Sequence, residues 1–368
     1  MLIGVQDVRI VPVQELGDGG HDAFAIRAVD EQDGRILHFR SPIVAHTLTL
    51  PTVKRTVLKV DPRVPARDAI ERAAGVLRAG GLVAFPTETV YGLGAHALDA
   101  TAVQKIFAAK ERPDWDPLIV HVSGTEMART LTNNPPPLFD TLAKQFWPGP
   151  LTLVVERAAG VPDEVTARRA TVALRVPHHP VAAALLGAAQ LPIAAPSANR
   201  FGRPSPTRAE HVLDDLGDRV DLILDAGPTP LGVESTVLDL TQSPPAILRP
   251  GGITREALET VAGKVTLAGS VEDEIAAKGL TGPGMTLKHY APRARVETFE
   301  TESALRARAA QLPRAGILIP TPETLFAQLR DLDAQGVEVI LALLPSPKGI
   351  GLAVRDRLHR AAGHGGRP

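Results

Sequence analysis

Apolar residues of this chain recur at helical spacing after residue 58 and alternate there with short, continuous apolar runs. The first helical face is formed by Ile70, Ala73, Ala74 and Leu77. Gly80 and Gly81 end this predicted helix, and the run LVAF at residues 82–85 predicts a short buried strand. This alternation of helix and strand is typical of an α/β fold.

The same pattern continues to about residue 255. A helix is expected after Asp99, which is a suitable N-cap, and a strand over residues 117–122. Beyond residue 220 the predicted strands follow one another without helices between them. We therefore expect a twisted mixed sheet with helices around it, rather than a purely parallel one.

Three further segments flank this predicted core of residues 56–264. Residues 1–55 carry strand-like runs and predict a β-rich extension of unknown role. Residues 265–292 are rich in Gly, Pro and cations and are interpreted as a linker. In residues 293–368, helices near 302–311, 321–330 and 352–362 alternate with strands, which predicts a small Rossmann-like α/β domain.

Composition narrows the function classes. The 368 residues include no Cys, which excludes disulfides, thiolate nucleophiles and Cys-ligated zinc. The net charge of −1 argues against binding nucleic acid by bulk charge, although a local basic site remains possible. The N-terminal residues contain no secretory apolar region and no apolar run approaches the length of a membrane span, so a cytoplasmic protein is expected.

The first candidate site is PTETVYGLGAHA, residues 86–97. The hydroxyls of Thr87, Thr89 and Tyr91 are expected in a loop just after a strand, where α/β sheets place their ligands. An ordinary turn is the alternative. The segment also matches G-x-G-x-x-A, but the glycines do not stand at a strand-to-helix turn, which argues against a dinucleotide fold.

Lys110 and Arg112 form the second candidate. Two residues apart, they point to the same side of an extended chain and suit a polyphosphate. A solvated charge run at a helix end is the alternative. His121 lies in an apolar strand and is either a buried core histidine or a ligand.

Two later clusters carry further polar groups. Ser197, Asn199, Ser205 and Thr207 occupy a Pro/Gly-shaped loop, which is either a phosphate nest or an ordinary turn. Strand-end arginines, Arg175 and Arg249, with Ser235 nearby, predict a basic pocket for a nucleotide triphosphate and a carboxylate. The chain has no G-x-x-x-x-G-K-[ST] motif, and its histidines lack metal-binding spacing.

The ordered set PTETVYGLG, KERP-x4-LIVHV, FWPGPLTLV, LRVP, APSAN–GRPSPT, ESTV and ILRPG resembles the YrdC-type domain of L-threonylcarbamoyladenylate synthases. GPGMTLKHYAP resembles the linker of the two-domain form, and GIGLAVRDRLHRAA resembles part of its C-terminal domain. The resemblance spans residues 58–365 and does not reach residues 1–55.

The resemblance implies that L-threonine, bicarbonate or CO2, and ATP with Mg²⁺ give threonylcarbamoyl-AMP and pyrophosphate. The product would pass to the machinery that threonylcarbamoylates tRNA beside the anticodon; contact with tRNA itself is possible but not required. Threonine would be bound by Thr89, His121, Arg175, Ala195 and Ser235. ATP would be bound by Lys110, Arg112, Asp116, Thr171, Ser197, Asn199, Ser205, Arg249 and Tyr290. Lys110 and Arg112 would be the catalytic pair, with Lys110 orienting the reacting groups, and Tyr290 would close over the nucleotide.

One position departs from the family pattern, because Asp116 stands where the family usually has Asn. Our hypothesis is that Asp116 helps to hold the metal, or else points away from the phosphates. The alternative function is a module that binds double-stranded RNA or tRNA without catalysis. A carbamoyl-transfer maturation factor would need zinc fingers, which the absence of Cys excludes.

Overall fold

The structure is a computed structural model, and it describes residues 8–10, 26–30, 36–39, 56–268 and 289–363. Contacts divide the chain into two compact units, Met1–Lys54 and Arg55–Pro368. In the first unit, the strands β1 (Val8–Ile10), β2 (Ile26–Asp30) and β3 (Ile36–Phe39) form an antiparallel sheet in that order. These strands agree with the β-rich character predicted for the segment.

The second unit is built on a sheet of eleven strands among the described residues. In chain order the strands are β4 (Thr56–Lys59), β5 (Val83–Pro86), β6 (Tyr91–His96), β7 (Ile119–His121), β8 (Leu151–Glu156), β9 (Thr171–Arg175), β10 (Ile193–Ala194), β11 (Leu222–Asp225), β12 (Thr236–Asp239), β13 (Ala246–Arg249) and β14 (Thr266–Leu267). Across the sheet their order is β14-β13-β12-β8-β9-β7-β10-β6-β5-β11-β4. Pairs such as β7/β9 are parallel and pairs such as β8/β9 are antiparallel, which confirms the predicted mixed sheet.

Helices cover both faces of this sheet. They are α1 (Arg67–Arg78), α2 (Ala100–Lys110), α3 (Thr125–Thr130), α4 (Pro137–Phe146), α5 (Asp163–Thr166), α6 (Pro180–Ala189), α7 (Ala209–Leu216) and α8 (Arg255–Ala262). The Asp99 side chain caps α2 by accepting from the backbone N–H groups of Thr101 and Ala102, as its position predicted. Successive residues of β5 enter opposite cores: Val83 and Phe85 pack with α1 and α6, and Ala84 packs with α2.

The segment of residues 86–97 differs from the predicted loop. Only its first residues turn, and Tyr91–His96 form β6, which pairs with β5 and β10. Gly92 and Gly94 are strand residues whose missing side chains leave room for Ala195, Ile193 and Phe85. The glycines therefore serve close packing of the sheet, in agreement with the rejection of a dinucleotide loop.

The C-terminal part of the second unit is a parallel three-stranded sheet. Its strands are β15 (Arg295–Phe299), β16 (Gly316–Leu318) and β17 (Val339–Leu343), in the order β15-β17-β16. Its helices are α9 (Glu302–Ala309), α10 (Leu325–Ala334) and α11 (Gly351–Ala361). Helix α10 begins four residues later than predicted, because Thr321–Thr324 form a hydrogen-bonded turn that contains Pro322.

This C-terminal sheet packs against the large sheet through a shared apolar core. Val90 and Val233, in the loops before β6 and β12, join Leu325 and Phe326 of α10 there, and Tyr290 belongs to the same core. Among the described residues, no helix is long and apolar enough to cross a membrane.

Gly251, which follows β13, shows how tightly the sheet end is built. A methyl group at this position would lie 2.3 Å from Ser235 C and Thr236 N and 2.4 Å from Glu234 O. Because these are backbone atoms, Gly251→Ala should cost about 1–3 kcal/mol of folding free energy, and lower the melting temperature by about 2–10 °C. Thermal unfolding of both proteins measures the difference.

Gly160→Ala is the matched control. No atom lies within 4 Å of its added methyl group, so its melting temperature should stay within about 2 °C of the parent. Equal melting temperatures for the two variants would contradict the close approach at Gly251.

Candidate functional site

A cavity opens at the strand ends of the large sheet and is covered by residues 289–290. Most of its lining residues are polar or charged, and the others are apolar residues and one glycine. They are Thr87, Thr89, Val90, Gly92, Arg112, Pro117, Ile119, His121, Arg175, Ala195, Pro196, Ser197, Glu234, Ser235, Arg249, His289 and Tyr290. The residues predicted to surround threonine all lie on this wall, together with Arg112, Ser197, Arg249 and Tyr290 from the predicted ATP set.

The turn between β5 and β6 supplies hydroxyls to one end of the cavity. Thr87 Oγ1 donates to the carbonyl of Val90, and it lies 2.7 Å from Thr89 Oγ1. Arg175, at the end of β9, donates from Nη2 to Thr89 Oγ1 at 3.1 Å and pairs with Glu88 at 2.8 Å. Its Nε donates to the carbonyl of Gly149, so three contacts fix the guanidinium on the cavity wall.

His121 lies beside Arg175 because β7 and β9 are parallel with these residues in register. Burial, and next the Arg175 charge, hold the pKa of His121 well below its usual value, so the imidazole is neutral at pH 7. Its Nδ1 makes no hydrogen bond within the described part of the chain. A buried polar nitrogen facing a cavity in this way is suited to a ligand.

Another end of the cavity carries Arg249, which is bonded to Ser235. Arg249 donates from Nη2 to the carbonyl and hydroxyl oxygens of Ser235, at 3.0 and 3.2 Å. Among the described residues Arg249 makes no ion pair, although it is buried. Because a buried cation is stabilised by a negative charge, this end of the cavity favours an anion.

Arg112 also lines the cavity, but its charge is partly neutralised. Its Nη2 lies 2.8 Å from Asp116 Oδ2 and donates to the carbonyl of Pro117. Asp116 is fully buried and does not line the cavity. Of the two hypotheses for this residue, the geometry favours the one in which the carboxylate points away from the ligand.

Lys110 stands behind the cavity wall. As the last residue of α2 it is buried, and Nζ donates to the carbonyls of Ser197 and Asn199 at 2.6 and 2.5 Å. Burial, and next the Arg112 charge, lower the pKa of Lys110 well below its usual value. In this arrangement Lys110 shapes the loop that carries Ser197, rather than facing the ligand directly.

Three more predicted residues do not line the cavity. Asn199 accepts from Ser197 Oγ and donates to the carbonyls of Arg200 and Arg203, so it fixes the loop. Ser205 is buried and donates to Glu234. Thr171 lies at the start of β9, away from Arg175, and lines a smaller cavity that shares Pro117 with the main one.

The cover of the cavity is formed by His289 and Tyr290. Tyr290 has a φ of 60°, which is costly for a residue other than glycine, and the flanking N–H of Ala291 donates to Gly202 O at 2.7 Å. Tyr290 Oη and His289 Nδ1 are buried without hydrogen bonds among the described residues. Tyr290 therefore lies on the cavity wall in a strained backbone conformation, and its closure over a nucleotide stays a prediction.

Sequence reasoning missed two charged or polar residues of the wall, Glu234 and His289. Both stand directly beside predicted residues, Ser235 and Tyr290, in the motifs ESTV and KHYAP. Glu234 could have been noticed as a carboxylate directly before Ser235, two residues ahead of the buried strand β12. His289 is recognised only in the structure, because nothing in the sequence shows that it lies on the cavity wall beside Tyr290.

The residues were also tested for a magnesium site. No group of three His, Asp or Glu side chains within the described ranges could hold a metal ion. Asp116 is paired with Arg112, and Glu234 is paired with Arg357 of α11. The side chains of the described ranges therefore form no metal site by themselves, and the hypothesis that Asp116 holds a metal gains no support from this geometry.

The fold and the cavity define an α/β protein with a buried, arginine-lined pocket. The family described as telomere recombination matches residues 75–251, and the threonylcarbamoyl-AMP synthase C-terminal domain matches residues 253–363. The threonylcarbamoyl-AMP synthase of Pyrococcus abyssi is 44% identical over 321 residues, covering 80% of this chain and 94% of that protein. The Bacillus subtilis threonylcarbamoyl-AMP synthase is 41% identical, covering 84% and 98%.

A solved structure agrees with these sequences. The crystal structure of Pyrococcus abyssi Sua5 complexed with L-threonine superposes with a TM-score of 0.79 at 41% identity, covering 84% of this chain and 98% of that one. The chain belongs to the threonylcarbamoyl-AMP synthase family. The predicted family and fold class are thereby confirmed.

The Asp116–Arg112 pair generates a prediction. Asp116→Asn removes the negative charge that offsets Arg112, so ATP should bind about three- to tenfold more tightly, while the magnesium concentration for half-maximal rate should stay within about twofold. Calorimetry with ATP and a magnesium titration of pyrophosphate release measure the two quantities.

Asp114→Asn is the control, since Asp114 is 74% exposed and pairs only with the exposed Arg168 among the described residues. It should change neither quantity. A large rise in the magnesium requirement of Asp116→Asn alone would instead show that Asp116 acts on the metal.

Proposed function

We propose that this chain makes threonylcarbamoyl-AMP and pyrophosphate from L-threonine, bicarbonate or CO2, and ATP, as a nucleotidyltransferase. The observation that carries the proposal is one covered cavity whose wall carries the three arginines Arg112, Arg175 and Arg249. The Arg175 end is built for one small carboxylate, and the Arg249 and Arg112 end is built for a larger anion. Family membership supports the same reaction, and no observation favours the alternative of an RNA-binding module.

Threonine occupies the Arg175 end in this proposal. The Arg175 fork pairs with the threonine carboxylate, and the Thr89 hydroxyl lies beside it. His121 and Ser235 flank the side chain and amine, and Ala195 contributes through its backbone. The Pyrococcus abyssi structure was solved with L-threonine, which agrees with a threonine subsite in this fold.

ATP occupies the other end. Arg112 and Arg249 face its phosphates, Ser197 offers a hydroxyl, and Tyr290 covers the nucleotide. Lys110, Asn199 and Ser205 hold the surrounding loops in place, and Asp116 tunes the charge of Arg112. Thr171 lines the smaller cavity, which shares Pro117 with the main one, so its predicted contact with ATP stays a prediction.

The chemical step needs positioning and charge neutralisation. The threonine amine attacks CO2, loses a proton and becomes a carbamate. A carbamate oxygen then attacks the α-phosphorus of ATP, the bond to the bridging oxygen of the β-phosphate breaks, and pyrophosphate leaves with that electron pair. Arginines offset the charge that develops on the phosphates, and the cover excludes water from the labile product. We propose that the product supplies the threonylcarbamoylation of tRNA.

Pyrophosphate release from ATP tests the proposal directly. With magnesium present, release should require both L-threonine and bicarbonate, because the attacking group is the carbamate that they form together. Omitting either should reduce the rate to background. Pyrophosphate release that is independent of both substrates would identify a plain nucleotide hydrolase. If folded protein releases no pyrophosphate even in the complete mixture, the proposed activity is refuted.

The role of Arg175 is tested by Arg175→Lys. Lysine keeps a positive charge beside Glu88 but lacks the planar fork, so the KM for threonine should rise about tenfold while the KM for ATP changes less than about threefold. Initial rates at varied substrate concentrations measure both constants.

Arg157→Lys is the matched control, because Arg157 bonds Asp163 and Thr166 and does not line the cavity. Its two KM values should match those of the parent. If Arg175→Lys raises only the KM for ATP, the two ends of the cavity have been assigned the wrong way round.

A further inference from the structure

One buried arginine of the C-terminal helix α11 reaches the wall of the cavity. Arg357 has 0% of its side chain exposed. Its Nε lies 2.9 Å from Glu234 Oε2, and its Nη1 lies 2.6 Å from Asp356 Oδ2. Its guanidinium also lies over the ring of Tyr290, with Cζ 5.3 Å from the ring centre. A single residue of the C-terminal domain therefore contacts both Glu234 on the cavity wall and Tyr290 of the cover.

Glu234 connects this arginine to the site. It lines the cavity, and its other oxygen, Oε1, accepts from the hydroxyl of Ser205 at 2.5 Å. Both carboxylate oxygens are thus engaged, one by the large sheet and one by α11. The orientation of Glu234 depends on both partners.

Charge gives a physical reason for an arginine at this position. Glu234 is the acidic residue that lines the cavity, on a wall that also carries Arg249. Without Arg357, Glu234 would be a buried carboxylate with no cation bonded to it in the described part of the chain, facing a polyphosphate. Such an anion repels the phosphates, and the cost is greatest where water is excluded.

We propose that Arg357 is a positioning residue of the ATP site, supplied by the C-terminal domain. It neutralises and orients Glu234, and its guanidinium supports the ring of Tyr290 over the nucleotide. The C-terminal domain then completes the ATP site instead of merely following it in the chain. This inference rests on the proposed function for the identity of the nucleotide.

A neighbouring arginine provides a contrast. Arg355 lies on the same helix and is also buried, but it bonds Glu300 and the carbonyl of Pro345, both within the C-terminal sheet and its loops. Its contacts stabilise that domain without touching the cavity wall. A variant at Arg355 therefore measures the general effect of losing a buried arginine from α11, and a variant at Arg357 measures the effect on the cavity wall in addition.

The experiment measures binding of the non-cleavable analogue α,β-methylene-ATP by calorimetry, with melting temperatures recorded in parallel. Arg357→Met keeps most of the side-chain volume but removes the charge, and it should weaken binding at least about tenfold. Arg355→Met should stay within about threefold of the parent. Equal losses in both variants, or parental affinity in Arg357→Met, would overturn the proposal.

The double variant separates positioning from packing. Adding Glu234→Gln to Arg357→Met removes the uncompensated anion, while the amide oxygen can still accept from Ser205. Affinity should return to within about threefold of the parent, which lost packing alone would not produce. A double variant as weak as Arg357→Met would show that Arg357 only stabilises the fold.

If Arg357→Met does not fold, Arg357→Lys replaces it. A lysine keeps the charge but cannot bond Glu234 and Asp356 while lying flat on Tyr290, so a loss of about three- to tenfold is expected. Parental affinity in this variant would overturn the proposal. Analogue binding needs neither threonine nor bicarbonate, so it measures the effect of Arg357 on the ATP site separately from the reaction. If the parent protein binds no analogue, the inference itself is overturned.

Discussion

Burial of positive charge is the constraint on which the rest of this structure depends. Arg112, Arg175 and Arg357 are each removed from water and each has a carboxylate within 2.9 Å. Arg249 has no such partner among the described residues and faces the cavity. Because an unpaired buried cation is costly, the fold must either supply an anion or bind one. The paired arginines are held in place by their carboxylates, and Arg249 marks the point of the cavity wall where a ligand would supply the negative charge.

This constraint explains why the site needs so many separate elements. The arginines that line the cavity come from different strand ends and loops, so no single segment could assemble it. The in-register pairing of β7 and β9 sets His121 beside Arg175, and the loop after β10 is fixed against β6 by the Gly92–Ser197 bridge. A rigid sheet is the means by which these distances are held, since catalysis by positioning tolerates little displacement. The absence of Cys from the chain is no obstacle to a reaction without a covalent enzyme intermediate.

The cover, His289 and Tyr290, is also held by residues that are distant along the chain. His289 and Tyr290 would be an unsupported pair if they contacted the large sheet alone. Instead, Tyr290 packs on Phe326 with ring centres 5.4 Å apart, and it lies beneath Arg357. Arg330 of α10 adds a buried ion pair to Asp215 at 2.6 Å. The two sheets of the second unit are therefore joined by apolar and charged contacts around the same residues that close the site.

The sequence by itself determined the α/β class, the mixed character of the sheet and the Asp99 cap, because these follow from local periodicity and capping chemistry. It also predicted Thr89, Arg175 and Ser235 as residues of the pocket, and the structure has all three on the cavity wall. Only the tertiary structure decided that Tyr91–His96 form a strand, that Lys110 stands behind the wall, and that Asp116 serves Arg112. It alone brought Glu234 and Arg357 together, 123 positions apart in the chain. Spacing along a sequence reports local geometry, whereas the partner of a buried charge is chosen by which elements the fold packs side by side.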